Sequence, residues 1–168
     1  MDIVFVLVEP ARGENIGAAA RAIKTMGFKE LRLVNPGDMR AAQWVAHHSN
    51  DVLEQAVIVD TLDQALADVD LSIACTARHR LQKDRYVDAD RCAELVAGKG
   101  NSVQRVAIVF GREASGLTGD EGVVVGLVLV GRHEHLVGLA MVDEHMPHAA
   151  VPEHLEVLGV LVHVEHEA

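Results

Sequence analysis

Three short polar segments hold the groups able to do chemistry. The first runs Glu9-Pro10-Ala11-Arg12-Gly13-Glu14-Asn15-Ile16-Gly17, with Arg21 following. Asn15 is the natural N-cap of a helix, and Arg21, on its first or second turn, can reach its guanidinium back over the loop. The segment alone is more simply a capped helix with a solvated arginine. It contains neither G-x-G-x-x-G nor G-x-x-x-x-G-K-[ST], so it is not a dinucleotide fingerprint or a P-loop. The second segment, Cys75-Thr76-Ala77-Arg78-His79-Arg80, continues to Lys83 and Arg85. Its cations suit phosphate contacts, and a solvated charge run is the more ordinary reading in isolation. The third is Gly111-Arg112-Glu113-Ala114-Ser115-Gly116-Leu117. Gly111 lets backbone approach a ligand closely and Gly116 permits positive φ. A polar connection and a binding loop are even readings of it. Trp44 and Tyr86 are the sole Trp and Tyr, so base stacking would be minor beside backbone contacts.

The elements that must position these loops alternate through the first 121 residues. Residues 3–8, 31–34, 57–59, 71–75 and 105–110 are short β-branched runs that read as buried strands. Between them lie helical patterns over residues 16–26, 39–47 and 88–97, and a helix capped by Thr61, with Gln64 completing a capping box. Gly27 ends the first helix, Asp88 caps the third, and Thr118 with Glu121 makes a further capping box. Strand alternating with helix predicts an α/β fold, a mostly parallel sheet with helices on both faces. In such sheets ligands sit at the carboxyl ends of the strands, which is where all three polar segments fall.

Composition narrows the class. The chain has 168 residues, 49% of them hydrophobic and 24% charged. That is one globular domain, residues 1–168, with enough apolar material for a core. The N-terminus reads as a strand rather than a signal peptide, and the longest apolar run is too short to span a bilayer. Two cysteines form no disulfide framework, and a reducing cytoplasm is the simpler context. The net charge of −10 argues against DNA and membrane as partners. It is uneven: residues 1–121 carry 14 Lys and Arg against 18 Asp and Glu, whereas residues 122–168 carry one Arg against 7 acids. A local basic face is therefore open to the first part.

Taken together, the segments resemble a known family. Residues 3–35 (IVFVLVEPARGENIGAAARAIKTMGFKELRLVN) are similar to the first motif of the SpoU/TrmH group of RNA ribose 2′-O-methyltransferases, SPOUT enzymes with a trefoil-knotted α/β fold. Its N-x-G-x-x-x-R pattern is met by Asn15, Gly17 and Arg21. The second motif is met by residues 109–118, VFGREASGLT. Residues 75–80 resemble the TSARxR segment of the TrmJ-like branch, which methylates riboses in the tRNA anticodon loop at nucleotide 32. The resemblance covers residues 1–121. It implies S-adenosylmethionine as cofactor, touched by Cys75, Thr76, Ala77 and Gly111. It implies that Arg21 engages the target phosphate and helps remove the 2′-hydroxyl proton, with Asn15 and Glu113 ordering the site as the other catalytic residues. Arg12, Arg78, Arg80, Lys83 and Arg112 would bind the RNA, a tRNA or an rRNA, and the protein would be a homodimer.

The last 47 residues depart from the family. They hold 12 Val and 7 of the 10 His, and no Ser, Thr, Asn, Gln, Lys, Ile, Phe, Tyr, Trp or Cys. The family's third motif, an S-L-N segment that supplies the knot's last pass, cannot be among them, which leaves the knot open. Their bias is what out-of-frame reading of a GC-rich gene would give. One strand, residues 123–130, and one weak amphipathic stretch, residues 152–164, can be drawn there. His133, His135, His145 and His148 could be sketched as a metal site, but without cysteines they read as incidental, as do His47 and His48, and no metal is expected. The alternative to an active enzyme is a catalytically inactive RNA- or nucleotide-binding α/β domain. A generic flavodoxin-like domain is a third reading, disfavoured by the two paired loops.

Overall fold

The structure is a computed structural model that describes residues 1–76, 86, 87, 89–118, 120, 121 and 127–130. Its β-branched runs form the strands β1 (Asp2–Val8), β2 (Glu30–Val34), β3 (Val57–Val59), β4 (Leu71–Thr76), β5 (Tyr86–Val87), β6 (Arg105–Phe110) and β7 (Leu127–Val130). Among the described residues they make one sheet in the order β3-β2-β1-β6-β4-β7-β5, with every pairing parallel. The helices are α1 (Gly13–Thr25), α2 (Ala42–Ala46), α3 (Asn50–Glu54), α4 (Leu62–Leu66) and α5 (Ala89–Gly98).

Side chains alternate across each strand, and that alternation makes two cores. Phe5, Leu31, Leu33, Ile73, Ile108 and Phe110 pack on one face against Ile16, Ala20 and Ile23 of α1 and Cys92 and Val96 of α5. Val4, Val6, Val8, Val34, Ala107 and Val109 pack on the other against Leu62 and Ala65 of α4. Val4, Phe5 and Val6 are fully buried, and each such side chain stabilises the fold by about 1.5–3 kcal/mol. The central strand β1 is thus anchored from both sides. This is the expected α/β architecture, with helices on both faces. From β1 the chain moves outward to β2 and β3, whereas beyond β6 lie β4, β7 and β5. The direction reverses between β1 and β6, and a crevice at their carboxyl ends follows from that reversal.

Local chemistry explains the ends of the elements and several departures from expectation. Gly27 has φ 82°. Its N–H bonds the carbonyl of Lys24, and that of Phe28 bonds Ile23, so a Schellman turn stops α1. Thr61 accepts from the Gln64 N–H at 3.3 Å, while the Gln64 side chain takes the N–H of Asp60, one residue before the cap. The helix anticipated over residues 39–47 is shorter. It is broken at His47, whose φ of 50° leaves the helical region, and continues as a 3₁₀ turn and α3. Of the strand expected over residues 123–130, the described part is Leu127–Val130. Asp88, residues 152–164, the tail histidines and the stretches 77–85 and 122–126 lie outside the described residues.

Candidate active site

The loops after β1 and β6 meet because their strands are neighbours. Leu7 pairs with Phe110, so two residues further on Glu9 and Arg112 leave the sheet side by side. Asn15 Nδ2 donates to Glu113 Oε1 at 2.8 Å, and the Ala11 N–H approaches both Glu113 oxygens at 3.1–3.2 Å. The two segments therefore converge at the carboxyl edge of the sheet, at the switch point between β1 and β6. Burial, which would raise its pKa, acts most strongly on Glu113. The bonds from Asn15 and from backbone N–H groups, including those of Ala11 and Arg12, outweigh it and hold the carboxyl below its ordinary range. Glu113 is therefore ionised at neutral pH and acts as an acceptor only.

Asn15 is not a helix cap. The cap position is Arg12, extended and without a side-chain bond, and Asn15 is the third helical residue. Its amide is free to cross to Glu113 because the first-turn N–H of Asn15 already reaches the Arg12 carbonyl. Gly13 and Gly17 have a packing role. A Cβ on Gly17 would sit 2.3 Å from the Ala42 carbonyl oxygen, and one on Gly13 would sit 2.8 Å from that of Asp38. Side-chain-free positions let α2 lie against α1 and fix the angle at which α1 leaves the site.

Arg112 is also repurposed. The family resemblance implies that it binds RNA, yet its three nitrogens are faced by five oxygens, one for each N–H. Nε donates to Glu9 Oε2 at 2.8 Å and Nη2 meets Glu9 Oε1 at 2.7 Å. Nη1 and Nη2 donate to the two Glu121 oxygens at 2.9 and 3.0 Å, and Nη1 faces the Gly116 carbonyl at 3.5 Å. No donor is left for a phosphate. The hydrogen bonds of Glu9 and Glu121 raise the Arg112 pKa, and Arg112 in turn lowers that of Glu9. For Glu121, burial is outweighed by Arg112 and Thr118, and its pKa is also lowered. The expected Thr118–Glu121 capping box is present, with bonds of 2.7 and 3.3 Å.

Gly111 differs from expectation in its reason. A Cβ there would lie 2.3 Å from Gly116 C and Leu117 N, so the absent side chain admits the loop's own return. Gly116, at φ 68°, makes that return, and Arg112 and Gly116 exchange backbone bonds of 2.8 and 3.3 Å. Cys75 is buried at the end of β4, and it pairs in register with Phe110. Thr76 and Gly111, each one residue further, therefore lie at adjacent strand ends. Ala77, Arg78, Arg80 and Lys83 lie outside the described residues.

Arg21 is exposed on the third turn of α1. Six residues past Asn15, it stands about 9 Å along the axis at 1.5 Å per residue, and it does not join the Asn15–Glu113 pair. Arg32, Arg40, Arg91, Arg105 and Arg112 are all ion-paired. Among the described residues, the side chains of Arg12 and Arg21 have no such partner. Sequence reasoning missed the role of Glu9 and the pairing of Glu121 with Arg112. The signal that finds Glu9 is the β1–β6 register, which sequence does not display.

Residues 2–122 match the SpoU rRNA Methylase family. The chain is 46% identical over 123 residues to the uncharacterized tRNA/rRNA methyltransferase LasT of Escherichia coli K12, covering 72% of this chain and 54% of LasT. It is 43% identical over 122 residues to the tRNA (cytidine/uridine-2′-O-)-methyltransferase TrmJ of Klebsiella pneumoniae, covering 71% and 50%. The crystal structure of TrmJ from Z. mobilis ZM4 superposes with a TM-score of 0.73 at 27% identity, covering 98% of this chain and 68% of that one. The chain spans about half the length of the curated relatives it matches.

Proposed function

We propose, from the premise that the chain belongs to the SpoU methylase family, that it is an S-adenosylmethionine-dependent RNA methyltransferase acting on a ribose 2′-hydroxyl of tRNA, with nucleotide 32 of the anticodon loop as the target. The observation that carries this reading is the 2.8 Å bond from Asn15 to Glu113. It ties the two segments bearing the family's motifs into one crevice at the strand switch. Identity of 43% to a protein named for cytidine/uridine 2′-O-methylation favours tRNA as the substrate. The protein would work as a cytoplasmic homodimer.

Bound S-adenosylmethionine would supply a methyl group already activated by its sulfonium. Cys75, Thr76, Ala77 and Gly111 would hold it at the ends of β4 and β6. The task left to the chain is alignment and control of one proton. Arg12 and Arg21, unpaired and on the same helix, would hold phosphates beside the target ribose, with Arg78, Arg80 and Lys83 extending that contact. A guanidinium near the 2′-hydroxyl stabilises developing negative charge there, whereas its pKa above about 12 makes it a poor base. Asn15 and Glu113 order the crevice around that oxygen.

One observation favours a second reading, a non-catalytic RNA- or nucleotide-binding domain: residues 122–168 have neither the Ser nor the Asn of the third motif. A methylation assay on total tRNA, mapped by ribose-methyl-sensitive sequencing, decides between the two. Methylation at one anticodon-loop ribose, abolished by Arg21→Ala without loss of fold, is the expected result. Unchanged turnover in that variant removes Arg21 from the mechanism. Calorimetry showing tRNA binding without S-adenosylmethionine binding establishes the second reading instead.

A further inference from the structure

The structure assigns a positioning role to Glu9: we infer that it works through Arg112 to hold the 111–117 loop in the form that presents Glu113 to Asn15. This rests on the reading of the crevice as a methyl-transfer site. Glu9 has φ 47°, the left-handed region that costs a non-glycine residue about 1 kcal/mol or more, immediately before Pro10. The strained backbone still donates its N–H to the Val34 carbonyl at 2.8 Å, so the turn is over-determined. It points the carboxylate at Arg112, where both oxygens engage the guanidinium at 2.7–2.8 Å. Glu121 takes the opposite side of the same guanidinium. Arg112 is thereby pinned between the end of β1 and the residue that closes the Thr118 cap. Its own backbone forms the neck of the loop through the paired bonds to Gly116. Glu113 is the next residue along, and its placement follows from the fixed neck. The paired acids also outweigh the charge of Arg112, and among the described arginines only Arg12 and Arg21 are without an ion pair.

The test is amide hydrogen exchange and kinetics on the full chain carrying Glu9→Gln, Arg112→Met and both. Glu9→Gln keeps size and removes charge, so exchange at Gly116 and Ala11 should rise about tenfold, as expected for loss of a charge-assisted bond. Exchange within β6 should stay unchanged. In the Arg112→Met background, Glu9→Gln should add less than twofold. With methylation as readout, Glu9→Gln should lower kcat about tenfold and leave the KM for tRNA within twofold. Unchanged exchange at Gly116 and Ala11, an equal rise in β6, or independent effects of the two substitutions would overturn the assignment. A wild-type chain that transfers no methyl defeats the functional reading alone, and the exchange arm still decides the clamp.

Discussion

The bond between Asn15 and Glu113 can be measured by a double-mutant cycle. Asn15→Ala, Glu113→Ala and the double variant are unfolded in urea, followed by circular dichroism, with the slope m as a check that unfolding remains of one kind. A hydrogen bond to a charged group contributes about 1.5–3 kcal/mol. Both side chains here are half-buried, so the lower part of that range applies, about 1.5–2 kcal/mol. Glu113→Ala also strips the acceptor from the Ala11 N–H, which is exposed and turns to water at little further cost. In the Glu113→Ala background the Asn15 amide has lost its partner. There Asn15→Ala should be neutral or stabilising by up to about 0.5 kcal/mol, the helix propensity alanine gains over asparagine. The same substitution therefore changes sign between backgrounds. For a chain of this size the coupling corresponds to roughly 3–8 °C in Tm. Equal cost of Asn15→Ala in both backgrounds, within about 0.5 kcal/mol, would refute convergence of the two loops as the organising contact.

Gly17→Ala should destabilise. The added carbon lies 2.3 Å from the Ala42 carbonyl oxygen, and overpacking of about 1–3 kcal/mol outweighs the gain of about 1 kcal/mol in helix propensity. Thermal melting of Gly17→Ala should fall by a few degrees, while Gly98→Ala, at an open position at the end of α5, should not fall. Asp68, paired bidentately with Arg32, has its pKa lowered to about 2, with that hydrogen bond as the largest cause. A lowered folded-state pKa adds stability above the unfolded value near 3.8, and that contribution is lost as pH falls toward about 2. Asp68→Asn should be less stable than wild type at pH 7, and the gap should close by pH 2 in acid-titrated urea melts. Binding of tRNA should weaken with salt, and Arg12→Gln should reduce the log–log slope by about 0.7–0.9; an unchanged slope excludes Arg12 from phosphate contact.

How legible these features are depends on how local their causes are. Buried strands of a parallel sheet are continuous β-branched runs, and residues 105–110 can be read to the residue. A two-residue strand such as Tyr86–Val87 has no periodicity to read. Asn15 looks like a cap because nothing near it in sequence competes for its amide; the competitor, Glu113, lies 98 positions away. Arg112, set beside a glycine, looks free for RNA because Glu9 is 103 positions distant. Gly17 looks like a motif residue, and its reason is a carbonyl on another helix. In each case the residue type is visible, and the partner that decides its role is delivered by topology.

The electrostatics of the crevice follow from that same topology. On the proposed function, a chain with net charge −10 would bind RNA through local exceptions to its own field. Pairing of Arg112 with two carboxylates removes the most central cation of the described site from that task. Among the described residues of the two loops and their helix, the cations without an ion pair are then Arg12 and Arg21, at the start and third turn of α1. They lie on one rigid element, set in place by Gly13 and Gly17 against the backbone at Asp38 and Ala42. On the proposed function, a phosphate held there would take its position relative to the crevice from helix packing rather than from loop conformation. Rigid elements hold catalytic groups more closely than loops do. On that same proposal, the glycines of α1 would set where the RNA backbone lies and the clamp on Arg112 would set where Glu113 meets it.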